Sequence, residues 1–317
     1  MDLMANPKFC QFIEQFGKLM ASTQQVSLDE ARKQSTAFFA PASLPREHID
    51  QVRDITIKAT DGYDIPVRIY NPNPEKSLPV VIYYHRGGWV FSSNDDSERV
   101  CRKLAKYLGC IIAAVEFRLA PENPFPTPFN DCYDSFNWIS KHAAEIGANP
   151  HKVIVGGESC GGNMAAAVAL RARDEGNSSI AAQLLIYPII SSTINAEAYE
   201  NCADKYFLTK PAMEFFWSVY LGNAADAQNP YASPEKAENL QGLPPALIIT
   251  AEHDPLRLEG EEYAKQLQRA GNNVMLERVP GVIHGFLDLP IYDDAQIIPW
   301  IRTIHSQLNA QMNLVPC

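Results

Sequence analysis

Within Lys152–Met164 (K-V-I-V-G-G-E-S-C-G-G-N-M) a short apolar run stops at two glycines and, one serine later, gives way to strong helix formers. Val153, Ile154 and Val155 are β-branched and uncharged, so they predict a buried strand. Asn163–Arg173 predicts a helix. The serine of Gly157-Glu158-Ser159-Cys160-Gly161 therefore falls on a strand-to-helix turn, the context in which a G-x-S-x-G sequence has chemical meaning. Where strand and helix nearly touch, the positions two residues either side of the serine must be small, and both are glycine. Such a turn strains the serine backbone, sets its hydroxyl at the positive end of the following helix and aims the Cys160 N–H at a developing oxyanion. The competing reading is a glycine-rich turn with an incidental serine, and five residues do not decide between them.

Length and charge narrow the choice. At 317 residues and 46% hydrophobic, the chain suits one sizeable α/β domain with a modest addition. With 27 basic and 37 acidic residues the formal charge is -10, which argues against nucleic acid or an anionic membrane as partner. No run approaches the ~18 apolar residues of a membrane span. The N-terminus lacks a basic stretch followed by an apolar core, so a soluble, unexported, cytoplasmic protein is expected. Seven cysteines contain no C-x-x-C pair, which suggests reduced thiols rather than a zinc site or disulfide framework.

In chain order, Phe9, Phe12, Ile13, Phe16 and Met20 form one apolar stripe on a helix over about 7–21. A second helix over 27–39 starts at Ser27 as N-cap, with Glu30 at the capping-box position. Residues 52–58 and 65–70 predict a hairpin around Asp61-Gly62. Further strands are expected at 79–84, 111–116, 182–187, 246–251 and 274–279, and helices at 96–108, 130–146, 260–270 and 293–312. Residues 117–129 hold four prolines and read as a stiff loop. Strands separated by helices imply a mostly parallel sheet covered on both faces. Two segments stand outside that alternation. They are residues 1–50 and an insertion at about 190–235 that carries Tyr206, Phe207, Phe215, Phe216, Trp217 and Tyr220. Both are expected to form a helical cap over a pocket, leaving 51–317 as the main domain.

A serine hydroxyl needs a base to take its proton and a carboxylate to orient that base. In such a sheet both come from loops beyond the carboxyl ends of strands. Asp254, in Asp254-Pro255-Leu256, follows the strand at 246–251, and His284, in His284-Gly285-Phe286, follows the strand at 274–279. His48, His142, His151, His253 and His305 are less well placed; Asp204, Asp288 and Asp293 are rivals to Asp254. His85-Arg86-Gly87-Gly88 follows the strand at 79–84, where glycines let backbone N–H groups face a substrate oxygen. With Cys160 that makes three candidate donors.

Taken together, these loops resemble the hormone-sensitive lipase family of α/β-hydrolase esterases over about residues 50–310. Tyr83-Tyr84-His85-Arg86-Gly87-Gly88-Trp89 resembles its H-G-G-G element. Residues 117–126 (F-R-L-A-P-E-N-P-F-P) resemble its Y-R-L-A-P-E-x-P-F-P block, and Glu158–Asn163 resembles its D-S-A-G-G-N elbow. The resemblance implies the α/β-hydrolase fold with a helical cap, Ser159 as nucleophile, His284 as base and Asp254 as orienting acid. It also implies an oxyanion hole from Gly87, Gly88 and Cys160. Arg86 replaces the family's first glycine, Cys160 an alanine, and Leu258 a second aspartate of the acid loop. The expected activity is hydrolysis of short to medium acyl esters through an acyl-enzyme, with no metal or organic cofactor. Trp89, Phe207, Trp217 and Phe286 are candidate pocket walls. The alternatives are an acyltransferase or amide deacetylase with the same triad, or a non-catalytic receptor on this scaffold; the family's receptors lack the base that His284 supplies. The partner is a small-molecule ester, and the resemblance allows a homodimer.

Overall fold

A computed structural model describes residues 6–23, 25–39, 45–202 and 207–313. Tyr206 and Asp204 lie outside the described residues. The chain begins with α1 (Pro7–Thr23) and α2 (Leu28–Phe39). Ser27 caps the second of these, its hydroxyl accepting the Glu30 N–H at 3.3 Å. The hairpin β1 (Gln51–Lys58) and β2 (Asp64–Asn71) follows, then β3 (Leu78–Tyr84), α3 (Glu98–Leu108), β4 (Ile111–Val115), α4 (Thr127–Lys141), β5 (Ala148–Glu158) and α5 (Cys160–Asp174). After β6 (Ile180–Ile186) come α6 (Ala196–Cys202) and α7 (Lys210–Tyr220), then β7 (Ala246–His253), α8 (Arg257–Arg269), β8 (Val274–Ile283) and α9 (Asp294–Asn313).

The eight strands form one sheet in the order β1-β2-β4-β3-β5-β6-β7-β8, antiparallel at β1–β2 and β2–β4 and parallel elsewhere. Because side chains alternate across a strand, β3 feeds both faces. Val80, Ile82 and Tyr84 join the core beneath α4, α5 and α8, whereas Val81 and Tyr83 join the core beneath α3 and α9. That second core also takes in Phe9, Phe12 and Phe39 from the two N-terminal helices. Arg32 of α2 adds polar fastenings, reaching the carbonyls of Val90 and Ala120 at 2.9 and 3.0 Å and both oxygens of Glu122.

Several boundaries differ from the sequence expectation. The fourth helix starts at Thr127, because Pro128 in its first turn needs no N–H partner, and it stops at Lys141 before a separate 3-10 turn over Ala143–Ile146. The helix after the serine begins at Cys160 itself, and β8 runs on to Ile283. The last two extensions bring regular structure right up to Ser159 and His284. Among the described residues no helix is long and apolar enough to cross a membrane. Cys101, Cys110, Cys132 and Cys160 carry buried free thiols.

Candidate active site

Parallel strands deliver their following loops to one edge, so the residues after β3, β5, β7 and β8 meet there. At the elbow, Ser159 has φ 57° and ψ -118°, a left-handed backbone that a non-glycine residue adopts only when its surroundings hold it. The surroundings are tight. A β-carbon on Gly161 would lie 1.9 Å from the Tyr84 carbonyl oxygen, and one on Gly157 would lie 2.4 Å from the same atom. The Ser159 N–H is tied to the Ile186 carbonyl at 3.0 Å.

The three separated residues form one hydrogen-bonded row. Ser159 Oγ lies 2.9 Å from His284 Nε2, and His284 Nδ1 lies 2.7 Å from Asp254 Oδ2. The carboxylate accepts, so Nδ1 carries the proton and Nε2 is left to take the serine's. Asp254 is 2% exposed, and its other oxygen accepts the Leu256 N–H at 2.9 Å. The rivals are occupied elsewhere: Asp288 accepts from Arg86, and Asp293 accepts the Gln296 N–H at the start of α9. Beneath the row, the buried carboxyl of Glu158 receives the hydroxyls of Tyr83 and Tyr187, and the Tyr187 ring stands edge-on to His284 at 5.0 Å. Burial, with Asp288 nearby, pushes Glu158 up to about 6.

Gly87 and Gly88 have φ 119° and 60°, and among the described residues no backbone carbonyl takes up their N–H groups. A β-carbon on Gly87 would lie 2.0 Å from the Phe91 carbonyl oxygen, so only glycine fits this turn. The Cys160 thiol turns to the His85 carbonyl at 3.5 Å, with the N–H groups of Trp89, Gly88 and Gly161 around it. Burial pushes the thiol up to about 12, so it stays protonated and unreactive. His85, stacked on Phe117 at 4.3 Å, is driven by burial down to about 4 and is neutral. The Arg86 side chain runs to Asp288.

Of the expected walls, Phe207 stacks 6.4 Å over His284 and packs on Phe16 at 4.6 Å. Trp89 is wholly buried against Tyr220 and Trp217, at 4.1 and 4.7 Å, so it fastens the glycine loop to α7. Phe286 is also wholly buried, between Tyr187 and Trp300. Phe216, which the sequence did not single out from its aromatic neighbours, faces Gly88 instead: a β-carbon there would meet its ring at 2.5 Å. With Ser159 6% and His284 5% exposed, the row is nearly closed off. Among the described residues no group of three or more histidines, cysteines or acids is arranged to hold a metal.

A family model described as alpha/beta hydrolase fold matches residues 81–288, which contain all three members of the row. The chain belongs to this family of hormone-sensitive-lipase-like esterases. It is 39% identical over 251 residues to the carboxylic ester hydrolase LipN of Mycobacterium tuberculosis, covering 77% of this chain and 66% of that protein. An arylesterase of Saccharolobus solfataricus is 32% identical over 287 residues, covering 90% of this chain and 93% of the relative. A thermostable esterase of Pseudomonas putida superposes with TM-score 0.88 at 34% identity, covering 96% of this chain and 97% of the other. The protein is a carboxylic ester hydrolase.

Proposed function

We propose that this hydrolase is a serine esterase that works through an acyl-enzyme, with Ser159 as nucleophile, His284 as general base and acid, and Asp254 as the group that orients His284. The hydrogen-bonded row at 2.9 and 2.7 Å carries the reading. Ser159 Oγ attacks the ester carbonyl carbon as its proton passes to His284 Nε2; the carbon becomes tetrahedral and the C=O π pair moves onto the carbonyl oxygen, which becomes an oxyanion. The N–H groups of Gly87, Gly88 and Cys160 donate hydrogen bonds to that oxyanion; each such donor contributes about 100-fold or more in turnover. Collapse expels the alcohol, which takes the proton from His284. Water then attacks the acyl-enzyme, giving its proton to His284, and the carboxylic acid leaves as Ser159 recovers its hydrogen. Asp254 stays ionised throughout and stabilises the imidazolium.

The two N-terminal helices and the 190–235 insertion act as the cap. Their aromatic side chains close on Gly88 and His284, which supports short to medium acyl chains rather than long ones. Free buried thiols support a cytoplasmic setting. In a p-nitrophenyl ester series, turnover should peak between acetyl and hexanoyl; a steady rise through dodecanoyl would overturn the chain-length reading. A fluorophosphonate probe should label the protein at Ser159, and Ser159→Ala should lose about 10⁴-fold or more in kcat with its circular dichroism unchanged. Turnover retained by that variant would remove the serine mechanism.

A further inference from the structure

Arg86 stands where the family pattern has glycine, directly before Gly87 and Gly88, yet its side chain is mostly buried rather than extended into water. Its Nε and Nη2 donate to one oxygen of Asp288 at 3.1 and 2.7 Å, and the two side chains are 12% and 3% exposed. Asp288 lies in the turn that carries the base, since its own N–H closes on the Gly285 carbonyl at 3.0 Å. On its other side the guanidinium covers the Phe39 ring at 5.0 Å, at the end of α2. The Glu158 carboxyl, next to the nucleophile, also acts on its charge. One side chain therefore touches or feels the oxyanion loop, the elbow, the base turn and the N-terminal helices.

The backbone gives that placement a chemical consequence. Arg86 C=O and Gly87 N–H belong to the same peptide unit, which is planar, so fixing the carbonyl fixes where the N–H points. The carbonyl is held by His85 Nδ1 at 2.7 Å, and His85 is itself immobilised by stacking on Phe117. The side chain holds the same residue through Asp288. A buried ion pair adds little net stability, because desolvation offsets its Coulomb attraction; its surplus is geometric.

We propose that the Arg86–Asp288 pair is a positioning device that holds the Gly87 N–H, an oxyanion donor, at a fixed distance and angle from His284. The inference rests on the serine-esterase reading above. Arg86 thus replaces the freedom of a glycine with a cross-brace between the two loops that must act on the same carbonyl.

The test uses Arg86→Met, Asp288→Asn and the double variant Arg86→Met/Asp288→Leu, which buries no lone charge and so keeps the question open should a single variant not fold. For p-nitrophenyl acetate, kcat should fall about 10- to 100-fold with KM within about twofold, since a misdirected donor costs somewhat less than a deleted one. Binding of a trifluoromethyl ketone, which mimics the tetrahedral oxyanion, should weaken by the same factor. The double variant should regain the melting temperature of the parent and leave kcat low. If it regains both together, or if folded Arg86→Met keeps the parent kcat, the pair is merely structural and the proposal fails. Ser159→Ala run alongside separates the two levels: turnover surviving there sinks the serine mechanism, whereas turnover lost there but kept in Arg86→Met sinks only the positioning role.

Discussion

The sheet side of the site and its aromatic cover use opposite kinds of contact. On the sheet side, Ser159, His284 and Asp254 are joined by directional bonds of 2.7–2.9 Å, and the glycines at 87, 157 and 161 have backbone carbonyls within 1.9–2.4 Å of where a β-carbon would sit. On the cover side, Phe12, Phe16, Phe38, Phe39 and Phe207 meet at ring-centroid distances of 4.6–6.5 Å and at many angles. Directional bonds fix atoms to a few tenths of an ångström, whereas ring packing tolerates shifts because no single contact dominates. On the mechanism proposed above, reaction geometry is entrusted to the first region, and the shape and closure of the pocket to the second.

Substitutions on either side should differ in size accordingly. Asp254→Asn should leave the fold intact yet cost about 10⁴-fold in kcat, since an amide can donate to Nδ1 and favour the wrong tautomer. A loss of under tenfold in steady-state kinetics would make the row looser than its distances imply. Gly88→Ala places a methyl against Phe216 and keeps φ near 60°, so kcat should drop about 100-fold. Adding Phe216→Ala should recover part of that loss, and the unrecovered part measures the backbone strain. No recovery at all would mean that the cover leaves the oxyanion loop alone. Phe207→Ala, wholly on the cover side, should shift KM and acyl-chain preference by about tenfold or less while kcat for acetate stays within a few-fold.

The mildest change concerns the seam. Glu259, half-buried on α8, accepts the N–H groups of Ile190 at 2.7 Å and Ser191 at 3.3 Å, where the insertion leaves the sheet. Burial, followed by the nearby Asp254 charge, pushes it from 4.5 up to about 8. A raised carboxyl holds its proton more tightly folded than unfolded, so the folded state loses stability as pH climbs through that window. Glu259→Gln, always neutral, should melt nearly like the parent at the acid end and above it at the alkaline end. A gap that stays constant with pH would show that Glu259 is ionised at no cost.

Much of this was legible because local rules enforce it. The G-x-S-x-G spacing follows from the space available beside Tyr84, and the hairpin turn from Gly62 at φ 89°. The order of Ser159, Asp254 and His284 on strand ends follows from a parallel sheet, whatever the detail of its packing. The aromatic walls were less legible. Phe216 and Trp217 are adjacent on one helix, and successive residues point about 100° apart, so only the docking of α7 decides which of them meets Gly88.

Arg86 shows the boundary most sharply. A charged side chain among glycines announces from sequence alone that something unusual stands in the oxyanion loop. Its partner is 202 positions away, and Asp204, Asp288 and Asp293 are alike as sequence. Backbone conformation, strand order and the identity of the row were set by short-range sterics and chain topology. The brace between the loops was decided only when β3 and β8 were folded into one sheet, bringing the Arg86 charge within hydrogen-bonding reach of Asp288.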